Sequence, residues 1–588
     1  MLLSNLDLLA TAPGGVVRLR ELILTLAVQG KLVPQDAADE PASVLLAKIL
    51  AEKERLVAEG KIKRGKPLAE IGEEGKPFGL PQGWEWVRLG AVVNASEAGW
   101  SPTCIGSPRR PGHWGVLKVS AVSWGTFDAT ANKELPSELV PKPEYEVKNG
   151  DFLLSRANTA ELVARSVVVG VAEPQLMLSD KIIRFAVSSQ MNRFFLNLVN
   201  NASYAREHYA VNASGTSSSM KNVSREVVLD LLVPLPPLAE QSRIVTRVEE
   251  LMQLCDALEA KGRLEATQHA RLVSTLLATL TDSPNPQALA ENWQHVSTHF
   301  DLLLDRPEAV DALEQTLLQL AVRGLLVRQD PQDEPASALL ARIRAEKDRL
   351  IADGKIKRDK PLAAIAEEEK PFGLPVGWEW ARFGDVVNSS EAGWSPTCIG
   401  TPRRSGHWGV LKVSAVSWGA FDAAANKELP TNLLPRPEYE VHDGDFLLSR
   451  ANTEALVARS VVVGKAEPKL MLSDKIIRLE VSTLANREFL NLCNNASHAR
   501  AHYIANASGT SSSMKNVSRE VVLRTPVPLP PLPEQSRIVA RVASLRRLCA
   551  DLRERLAERE AVQARLAEAL VSNHAQTSIH RQDKCHAA

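Results

Sequence analysis

Apolar positions three and four residues apart predict helices at the beginning of the chain. A short apolar helix ends at Gly30, because glycine suits the left-handed conformation that follows a helix. A second helix opens after Glu-Pro-Ala-Ser at 40–43 and carries Leu45, Ile49 and Leu56 on its apolar side. The chain therefore begins with a helical segment.

A different pattern fills residues 80–235. Val116–Ser123, Phe152–Arg156 and Ser166–Gly170 are short runs of strand-forming residues separated by Gly, Pro and Asn, and each predicts a strand. A helix is expected around Arg193–Tyr209. Strands and helices in one segment predict the α+β fold class.

A long helix follows this mixed segment. Leu235-Pro-Pro-Leu ends a strand and begins the helix, because proline is tolerated in a first helical turn. Near the end of the chain, apolar residues recur at alternating steps of four and three, which is the seam of a coiled coil. These residues are Ile538, Val542, Leu545, Cys549, Leu552 and Leu556. A helix over 536–571 would be about 54 Å long.

The same order of segments recurs 294 residues further on in this 588-residue chain. Residues 96–106 reappear unchanged at 390–400, and residues 112–125 reappear unchanged at 406–419. The two mixed segments match at roughly three positions in four, which indicates one surface built twice. We expect the two long helices to lie antiparallel, with the mixed domains related by a pseudo-two-fold axis.

Composition narrows the class of protein. Apolar residues make up 44% of the chain and charged residues 24%, which is typical of a globular protein. Six separated cysteines without a Cys-x-x-Cys pair predict reduced thiols and no structural metal. The N-terminus does not resemble a signal peptide, and no apolar stretch is long enough to span a membrane. A cytoplasmic protein is therefore expected.

Four motifs, in the same order in both halves, resemble the specificity subunit of a Type I restriction–modification enzyme. In the first half they are Leu80–Gly90, Tyr145–Arg156, Ser214–Asn222 and Val233–Val245. In the second half they stand at 374–384, 439–450, 508–516 and 527–539. Together these motifs extend over nearly the whole chain.

The resemblance implies a non-catalytic reader of double-stranded DNA that has no cofactor or metal of its own. Two target-recognition domains would each bind half of a bipartite site. The helices would separate these domains and dock two methyltransferase subunits, and restriction subunits that translocate DNA would join the complex. S-adenosylmethionine, ATP and Mg²⁺ would belong to those partners.

The corresponding domain boundaries follow the repeat. They are an N-terminal helical segment and linker at 1–79, a first target-recognition domain at 80–235, a spacer helix at 236–282, a linker with a helical segment at 283–373, a second target-recognition domain at 374–529, and a spacer helix with a tail at 530–588.

Polar and aromatic residues in the mixed domains are the candidates for DNA contact. Arginine can bind phosphate or guanine, asparagine can bind adenine, and a Gly-Ser-Thr loop suits phosphate. In the first domain the candidates are Trp100, Ser101, Arg109, Arg110, His113, Lys118, Ser120, Arg156, Asn158, Ser214, Thr216, Ser217, Lys221 and Asn222. In the second they are Trp394, Ser395, Arg403, Arg404, His407, Lys412, Ser414, Arg450, Asn452, Ser508, Thr510, Ser511, Lys515 and Asn516.

Each group of candidates also has a structural interpretation. The arginine pair could be a solvated loop, and the strand that carries Lys118 and Ser120 could be buried. Asn158 could cap a turn, and the Gly-Ser-Thr loop could be a surface loop without a ligand. Trp114 and Trp124 fit core packing better than DNA contact.

Two other functions remain open from the residues. Glu146, Lys148 and Asp151 contain part of a nuclease motif, but the lysine becomes His442 in the second copy, which disfavours catalysis. A coiled-coil scaffold with two ligand-binding heads would explain the helices but not the four motifs. The chain is therefore expected not to be an enzyme.

The repeat and the charge refine the expected function. Because duplex DNA has local two-fold axes, two similar domains should read inverted copies of one sequence, which gives a palindromic or near-palindromic bipartite target. The whole chain has 70 basic and 70 acidic residues. Residues 96–235 hold 14 basic and 13 acidic groups, a difference of +1, and residues 390–529 hold 16 and 13, a difference of +3. Partner subunits are therefore expected to supply much of the phosphate binding.

Overall fold

The computed structural model describes two compact units. The described residues are 9, 11–123, 125–215, 220–417, 419–509 and 514–582, with side chains as far as residue 570. One unit consists of Met1–Glu265 with Glu560–Ala588, and the other of Ala266–Arg559. Helices and strands occur in both, which confirms the α+β class.

The first unit begins with helices α1 (Gly15–Val28) and α2 (Ala42–Ala58). After α1, Gly30 has a φ of 67°, and a Cβ there would lie 2.5 Å from the Pro81 side chain and 2.9 Å from that of Trp84. Only glycine satisfies both the left-handed backbone and this close approach. The predicted helix end is therefore confirmed.

In the mixed domain of the first unit, strands and short helices alternate between residues 85 and 235. In chain order its elements are β1 (Glu85–Arg88), α3 (Leu89–Val92), β2 (Val93–Ala98), β3 (Gly115–Leu117), β4 (Asn132–Glu134), β5 (Phe152–Ser155), β6 (Ala157–Asn158), β7 (Ser166–Val168), β8 (Leu176–Met177), β9 (Ile182–Val187), α4 (Arg193–Asn201), α5 (Ser203–Asn212), β10 (Lys221–Asn222), α6 (Arg225–Leu229) and β11 (Leu232–Leu235).

A four-stranded antiparallel sheet in the order β2-β9-β5-β7 forms the centre of this domain. Successive residues of β5 alternate between its two faces, as a strand requires. Phe152 and Leu154 belong to the core that includes the helices. Leu153 belongs to a second core that includes residues of β3 and β8. Both faces are buried, so β5 is a continuous apolar run.

Two smaller sheets place the polar loops. The order β4-β3-β8 combines an antiparallel pair with the parallel pair β3-β8. The short pair β6-β10 aligns Ala157 with Asn222 and Asn158 with Lys221. That pairing brings the end of the central sheet next to the loop that precedes β10.

Strands β1 and β11 pair antiparallel and bring the two ends of the domain together. Helix α7 (Leu238–Thr281) starts immediately afterwards, and the Pro237 carbonyl accepts a hydrogen bond from the Gln241 N–H at 3.0 Å. Trp84 Nε1 donates to Glu240 Oε2 at 2.9 Å. The buried Glu240 carboxyl therefore anchors the helix to the beginning of the domain.

Helices α8 (Pro286–Thr298), α9 (Phe300–Leu303), α10 (Pro307–Val322) and α11 (Ala336–Ala352) precede the second mixed domain. Asn285 caps α8 by accepting a hydrogen bond from the Ala288 N–H at 2.9 Å. The second domain follows in chain order as β12 (Glu379–Arg382), α12 (Phe383–Val386), β13 (Val387–Ala392), β14 (Gly409–Leu411), β15 (Asn426–Glu428), β16 (Phe446–Ser449), β17 (Ala451–Asn452), β18 (Ser460–Val462), β19 (Leu470–Met471), β20 (Ile476–Val481), α13 (Arg487–Asn495), α14 (Ser497–Asn506), β21 (Lys515–Asn516), α15 (Arg519–Arg524) and β22 (Pro526–Leu529).

The last helix, α16 (Leu532–Gln582), is longer than the predicted 536–571. Like α7, it begins in one unit and ends in the other. Within the second unit, Cys549 and Leu556 share a core with Val273 and Leu277 of α7 and Leu313 of α10. Of the predicted seam, Leu545 and Leu552 also pack against this core, whereas Ile538 and Val542 belong to the core of the second mixed domain.

Two sequence predictions are wrong in detail. Residues 116–123 do not form one strand, because β3 ends at Leu117 and a 3₁₀-helix spans Val119–Val122. The helix expected over 193–209 is two helices, since Ala202 is extended with ψ 158°. Neither segment contains a glycine or proline that would mark its break.

Candidate nucleic-acid interface

The loop before β3 uses its first arginine inside the domain. The Arg109 side chain is 13% exposed and pairs with Glu173 at 2.8 Å. Its guanidinium also donates to the carbonyls of His113 and Pro174 at 3.1 and 2.7 Å. These bonds hold the loop against the segment before β8. Arg109 is therefore engaged in shaping the loop, and its predicted DNA contact stays a prediction.

The second arginine of the loop is held differently. Arg110 NH2 lies 2.6 Å from Glu134 Oε1, and the Arg110 side chain is 68% exposed whereas that of Glu134 is 4% exposed. The Arg110 guanidinium and backbone N–H lower the pKa of Glu134 to about 2. His113 Nδ1 lies 3.5 Å from the same carboxylate. The ionised Glu134 therefore fixes an arginine that presents its remaining N–H groups to solvent.

Arg156 combines exposure with a fixed backbone. Its N–H donates to the Lys181 carbonyl at 2.7 Å, and its carbonyl accepts from the Val223 N–H at 3.0 Å. The side chain is exposed and has no ion pair or hydrogen bond within the part of the chain that the structure describes. An unpaired guanidinium on a rigid strand end is available to bind an external acceptor.

Asn158, two residues further on, is already engaged. Its Nδ2 donates to Ser123 Oγ at 2.8 Å, and its Oδ1 accepts from the Thr159 N–H at 2.9 Å. Ser123 is only 2% exposed, and its hydroxyl donates to the Val119 carbonyl at 2.8 Å. These hydrogen bonds agree with the interpretation of Asn158 as a residue that stabilises a turn.

Lys118 and Ser120 lie at the 3₁₀-helix rather than in a strand. Lys118 precedes the helix in extended conformation, and its side chain is partly exposed. Ser120 lies within the helix and is exposed. Because no strand forms here, the interpretation of both residues as part of a buried strand is wrong, and both reach the surface.

The polar loop before β10 is pinned at both ends. Ser214 and Asn222 exchange two backbone hydrogen bonds of 2.9 Å each. Lys221 Nζ donates to the Gly215 carbonyl at 2.6 Å. Thr216 and Ser217, together with their counterparts Thr510 and Ser511, lie outside the described residues, as do Trp124 and Trp418. The β6-β10 pair places this loop beside Arg156.

Trp100 and Ser101 begin the loop on the other side of the 3₁₀-helix. Lys142 Nζ lies 4.5 Å from the centroid of the Trp100 ring, which is a cation–π contact. The ring also packs on the small core of Val116 and Met177, so part of it is buried. The Ser101 hydroxyl donates to Asp180, next to Lys181. Lysines 142 and 181 were not among the sequence candidates, because isolated lysines give no sequence signal.

Most of these contacts recur in the second domain at the positions 294 residues further on. Arg403 pairs with Glu467 at 2.8 Å, and Arg404 pairs with Glu428 at 2.6 Å. His407 Nδ1 lies 3.3 Å from Glu428. The remaining contacts are those of Ser395 with Asp474, Asn452 with Ser417, Ser508 with Asn516, and Lys515 with the Gly509 carbonyl.

The exposed residues of that surface also correspond. Arg450 is exposed and has no side-chain partner among the described residues. Lys412 and Ser414 flank and occupy a 3₁₀-helix over Val413–Val416. Arg436 takes the place of the first-domain lysine over Trp394, with its guanidinium carbon 4.4 Å from the ring centroid. The aromatic–cation contact is therefore kept although the cation differs.

The residues of the partial nuclease motif are bound within the domain. Glu146 Oε1 accepts from the Gln175 N–H at 2.6 Å. Asp151 Oδ2 accepts from the Lys148 N–H at 2.9 Å and from Arg184 at 3.1 Å. No cluster of three or more His, Cys, Asp or Glu side chains suited to a metal ion occurs in the described part of the chain. Likewise, no helix among these residues is long and apolar enough to cross a membrane.

Exposed arginines and Ser/Thr hydroxyls are groups with which proteins contact DNA bases and phosphates. The family described as the Type I restriction modification DNA specificity domain matches residues 81–268. The chain is 40% identical over 569 residues to the Type I restriction enzyme EcoEI specificity subunit of Escherichia coli, covering 95% of this chain and 93% of that protein.

A second similar protein is the Escherichia coli EcoAI specificity subunit, with 35% identity over 578 residues, 95% of this chain and 93% of that protein. A solved structure described as the basis of complex assembly and conformational transition of the type I R-M system covers 85% of this chain and 99% of its own, with 18% identity and a TM-score of 0.47. The chain belongs to the family of Type I restriction enzyme specificity subunits. Its role is that of the DNA sequence-specificity subunit.

Proposed function

We propose that the two mixed domains read inverted copies of one short DNA sequence, so that the target is bipartite and palindromic. The observation that supports this most directly is the recurrence of one surface. Arg156 and Arg450 are both exposed, unpaired among the described residues, and bonded through their backbones to Lys181 and Lys475. The same side chain on the same local frame should select the same base pair.

The proposed reading surface comprises the arginine and the loops around it. Arg156 and Arg110 supply guanidinium donors suited to guanine or phosphate. The loop at 214–222 supplies backbone and hydroxyl groups suited to phosphate, which fixes register. Asn158 and Arg109 would stabilise this surface without contacting DNA, because their side chains already bind Ser123 and Glu173.

The long helices set the distance between the half-sites in this proposal. Helices α7 and α16 would lie antiparallel as a coiled coil, with the domains at opposite ends and the intervening base pairs unread. Methyltransferase subunits, two per chain, would dock on the helices, and restriction subunits would join them in the cytoplasm. S-adenosylmethionine, ATP and Mg²⁺ would be bound by those partners, and this chain would catalyse nothing itself.

Mapping methylated bases across a genome tests the palindrome. A host that expresses the methyltransferase subunit with this chain should acquire methylation at one motif with inverted half-sites, and a host without this chain should lack it. Two unrelated half-sites would contradict the proposal. An electrophoretic shift assay with and without the methyltransferase subunit tests the scaffold alternative, which predicts indifference to DNA in both conditions.

Changing the helix length tests the spacer. Insertion of one heptad in both helices, at solvent-exposed positions of α7 and α16, should change the number of unread base pairs while the half-sites stay the same. A control insertion in the linker at 61–75 should leave the motif unchanged. An unaltered spacer in the heptad variant, with methylation retained, would contradict a helical ruler.

A further inference from the structure

A small cavity lies next to the proposed reading surface of the second domain. Its volume is about 230 Å³. It is lined by Ser395, Pro396, Cys398, Val410, Leu411, Lys412, Val413, Lys427, Ser473 and Lys475. These residues come from the loop after β13, the end of β14, the middle of β15 and the turn before β20. Three of them are lysines, which is unusual for a cavity of this size.

Little negative charge balances the three lysines. Lys475 Nζ lies 3.7 Å from Asp474 Oδ2, and both of those side chains are about half exposed. Lys412 and Lys427 form no ion pair within the described residues. Burial raises the pKa of the Cys398 thiol, and the nearby Lys427 ammonium opposes that rise. Even with Asp474 counted, the cavity holds an excess of positive charge.

A buried hydroxyl at this cavity also lacks a hydrogen-bond partner within the described residues. Ser473 is 6% exposed, and its Oγ has no hydrogen-bond partner among the described residues. Leaving a buried hydroxyl unsatisfied costs free energy that an external acceptor would recover. The lysines and this donor would suit the same ligand, which is an anion with several oxygen atoms.

The backbone around the cavity is fixed by a close approach. The Gly393 N–H donates to the Ser473 carbonyl at 3.2 Å, and the Trp394 N–H donates to the Leu472 carbonyl at 3.0 Å. A Cβ at Gly393 would lie 2.0 Å from the Leu472 carbonyl oxygen, so only glycine permits this contact. The loop that carries Ser395 and Cys398 is therefore held against the turn that carries Ser473.

The first domain has the same residues in corresponding places. Lys118, Lys133 and Lys181 correspond to the three lysines, and Ser179 corresponds to Ser473. Ser179 is also 6% exposed, and its Oγ also lacks a partner among the described residues. The unsatisfied hydroxyl is thus a property of both domains.

We infer that this cavity, with its counterpart in the first domain, binds one phosphate of the DNA backbone next to the half-site that the domain reads. Lys412, Lys427 and Lys475 would neutralise the non-bridging oxygens, and Ser473 Oγ would donate a hydrogen bond to one of them. The Arg450 N–H donates to the Lys475 carbonyl, so the phosphate site adjoins the base-reading arginine. This inference rests on the proposed function and adds a register-fixing contact to it.

Charge-neutral variants of the full chain, assembled with its methyltransferase subunit, test the site. Lys427→Gln and Lys475→Gln should weaken binding equally to a duplex with the mapped target and to one with scrambled half-sites. The slope of log affinity against log salt should fall by about 0.9 for each lysine removed. Lys465→Gln is the matched control, because Lys465 is exposed and its counterpart is Val171. It should change neither quantity.

Ser473→Ala separates the site from general electrostatics. It should lower DNA affinity several-fold without changing the salt slope, because it removes a donor and no charge. The melting temperature of the free complex should stay the same or rise, since the hydroxyl has no partner to lose. A structural role for Ser473 predicts the opposite, a lower melting temperature with unchanged DNA affinity.

The outcomes distinguish this inference from the proposed function. Lysine variants that behave as Lys465→Gln does, in a complex that still prefers its target, would overturn the phosphate site alone. A complex that binds both duplexes alike would refute the proposed function, and the lysine effects on both duplexes would still decide the phosphate site. A complex that binds no DNA would overturn both.

Discussion

The two mixed domains share a polar surface but differ in the cores beneath it. Every residue proposed to face DNA is the same in both, whereas Tyr204 becomes His498, Phe185 becomes Leu479, and Leu89 becomes Phe383. Each of these core changes is accommodated by local packing, such as the contact of Phe383 with Phe446 at 5.7 Å between ring centroids. Different cores can therefore carry the same surface. An apolar core accepts side chains of a different shape more easily than a binding surface accepts hydrogen-bond donors in different positions.

The position of Tyr204 and His498 illustrates the difference. The Tyr204 hydroxyl donates to the Leu232 carbonyl at 3.1 Å, and its ring lies 5.4 Å from that of Phe78. The His498 ring lies 5.7 Å from that of Phe372, and burial lowers the pKa of His498 to about 4. One core therefore contains an imidazole that burial keeps neutral at pH 7, where the other contains a phenol.

The largest expected effect tests whether the two cores are separate. Phe195→Ala and Phe489→Ala each remove a fully buried ring that packs edge-on against Trp84 or Trp378. Each should destabilise its own unit by about 3–5 kcal/mol and leave the other unit nearly unchanged. Urea-dependent pulse proteolysis, with fragments assigned by mass spectrometry, measures the two units separately.

The neighbouring Phe194 provides the control for this experiment. It is 46% exposed, so Phe194→Ala should alter stability by less than about 0.5 kcal/mol. Equal destabilisation of both units by either core variant would show that they unfold as one, and the comparison of two cores would then lose its basis.

The next effect is a pH dependence confined to the second unit. The pKa of His498 is near 6.5 when unfolded and about 4 when folded, so folding favours the neutral ring. The stabilisation is present above pH 6.5 and is lost as the pH falls. The loss should reach about 2 kcal/mol at pH 5 and about 3 kcal/mol below pH 4. Burial lowers the pKa of His502 as well, which adds to the same trend.

A reciprocal exchange checks the cause. His498→Tyr should remove most of the acid sensitivity of the second unit, and Tyr204→His should introduce it into the first. Pulse proteolysis at pH 7 and pH 5 measures both. Acid sensitivity that stays in the second unit after His498→Tyr would assign it to another titratable group near the ring, such as His502.

The smallest expected effect concerns the shared surface. Arg156→Ala and Arg450→Ala should each weaken binding to the mapped target by about 1–3 kcal/mol and relax specificity in one half-site only. The two losses should be equal and additive, because the guanidinium frames are the same. Affinity measured for single-base variants of each half-site tests this.

Two further variants sharpen the interpretation. Arg156→Lys keeps the charge but not the planar pair of donors, so it should restore phosphate binding but not base selection. Arg109→Ala should instead lower the stability of the first unit, because its guanidinium binds Glu173 and two carbonyls. Unequal losses at the two half-sites would show that the domains do not read one sequence.

Much of the architecture could be predicted because its signals are local. The helix end at Gly30 and the start of α7 after Pro237 depend on residues within one turn of the event. The run at 152–156 predicted a strand, and the burial of both its faces became visible only in the structure. The division of residues 193–212 at Ala202 could not be predicted, since alanine favours helix and no glycine or proline marks the break.

The sequence identified which residue types could contact DNA, but not which of these side chains are already paired within the domain. Arg109, Arg110 and Arg156 were equal candidates on composition alone. Arg109 pairs with Glu173, 64 positions away in the chain, and Arg110 pairs with Glu134, 24 positions away. These pairs therefore depend on how β3, β4 and β8 come together. The lysines at 133 and 181 carry no motif at all and become a group only through the fold.

The sequence by itself determined the duplication, the succession of a helical segment, a mixed segment and a long helix in each half, the family, and the repetition of the same polar residues. These follow from local propensity and from internal comparison, which need no coordinates. Only the tertiary structure decided which charges are neutralised within a domain and which remain available. Whether a guanidinium or a hydroxyl can bind DNA depends on distant groups that folding brings within hydrogen-bond reach, and no spacing along the chain records that distance.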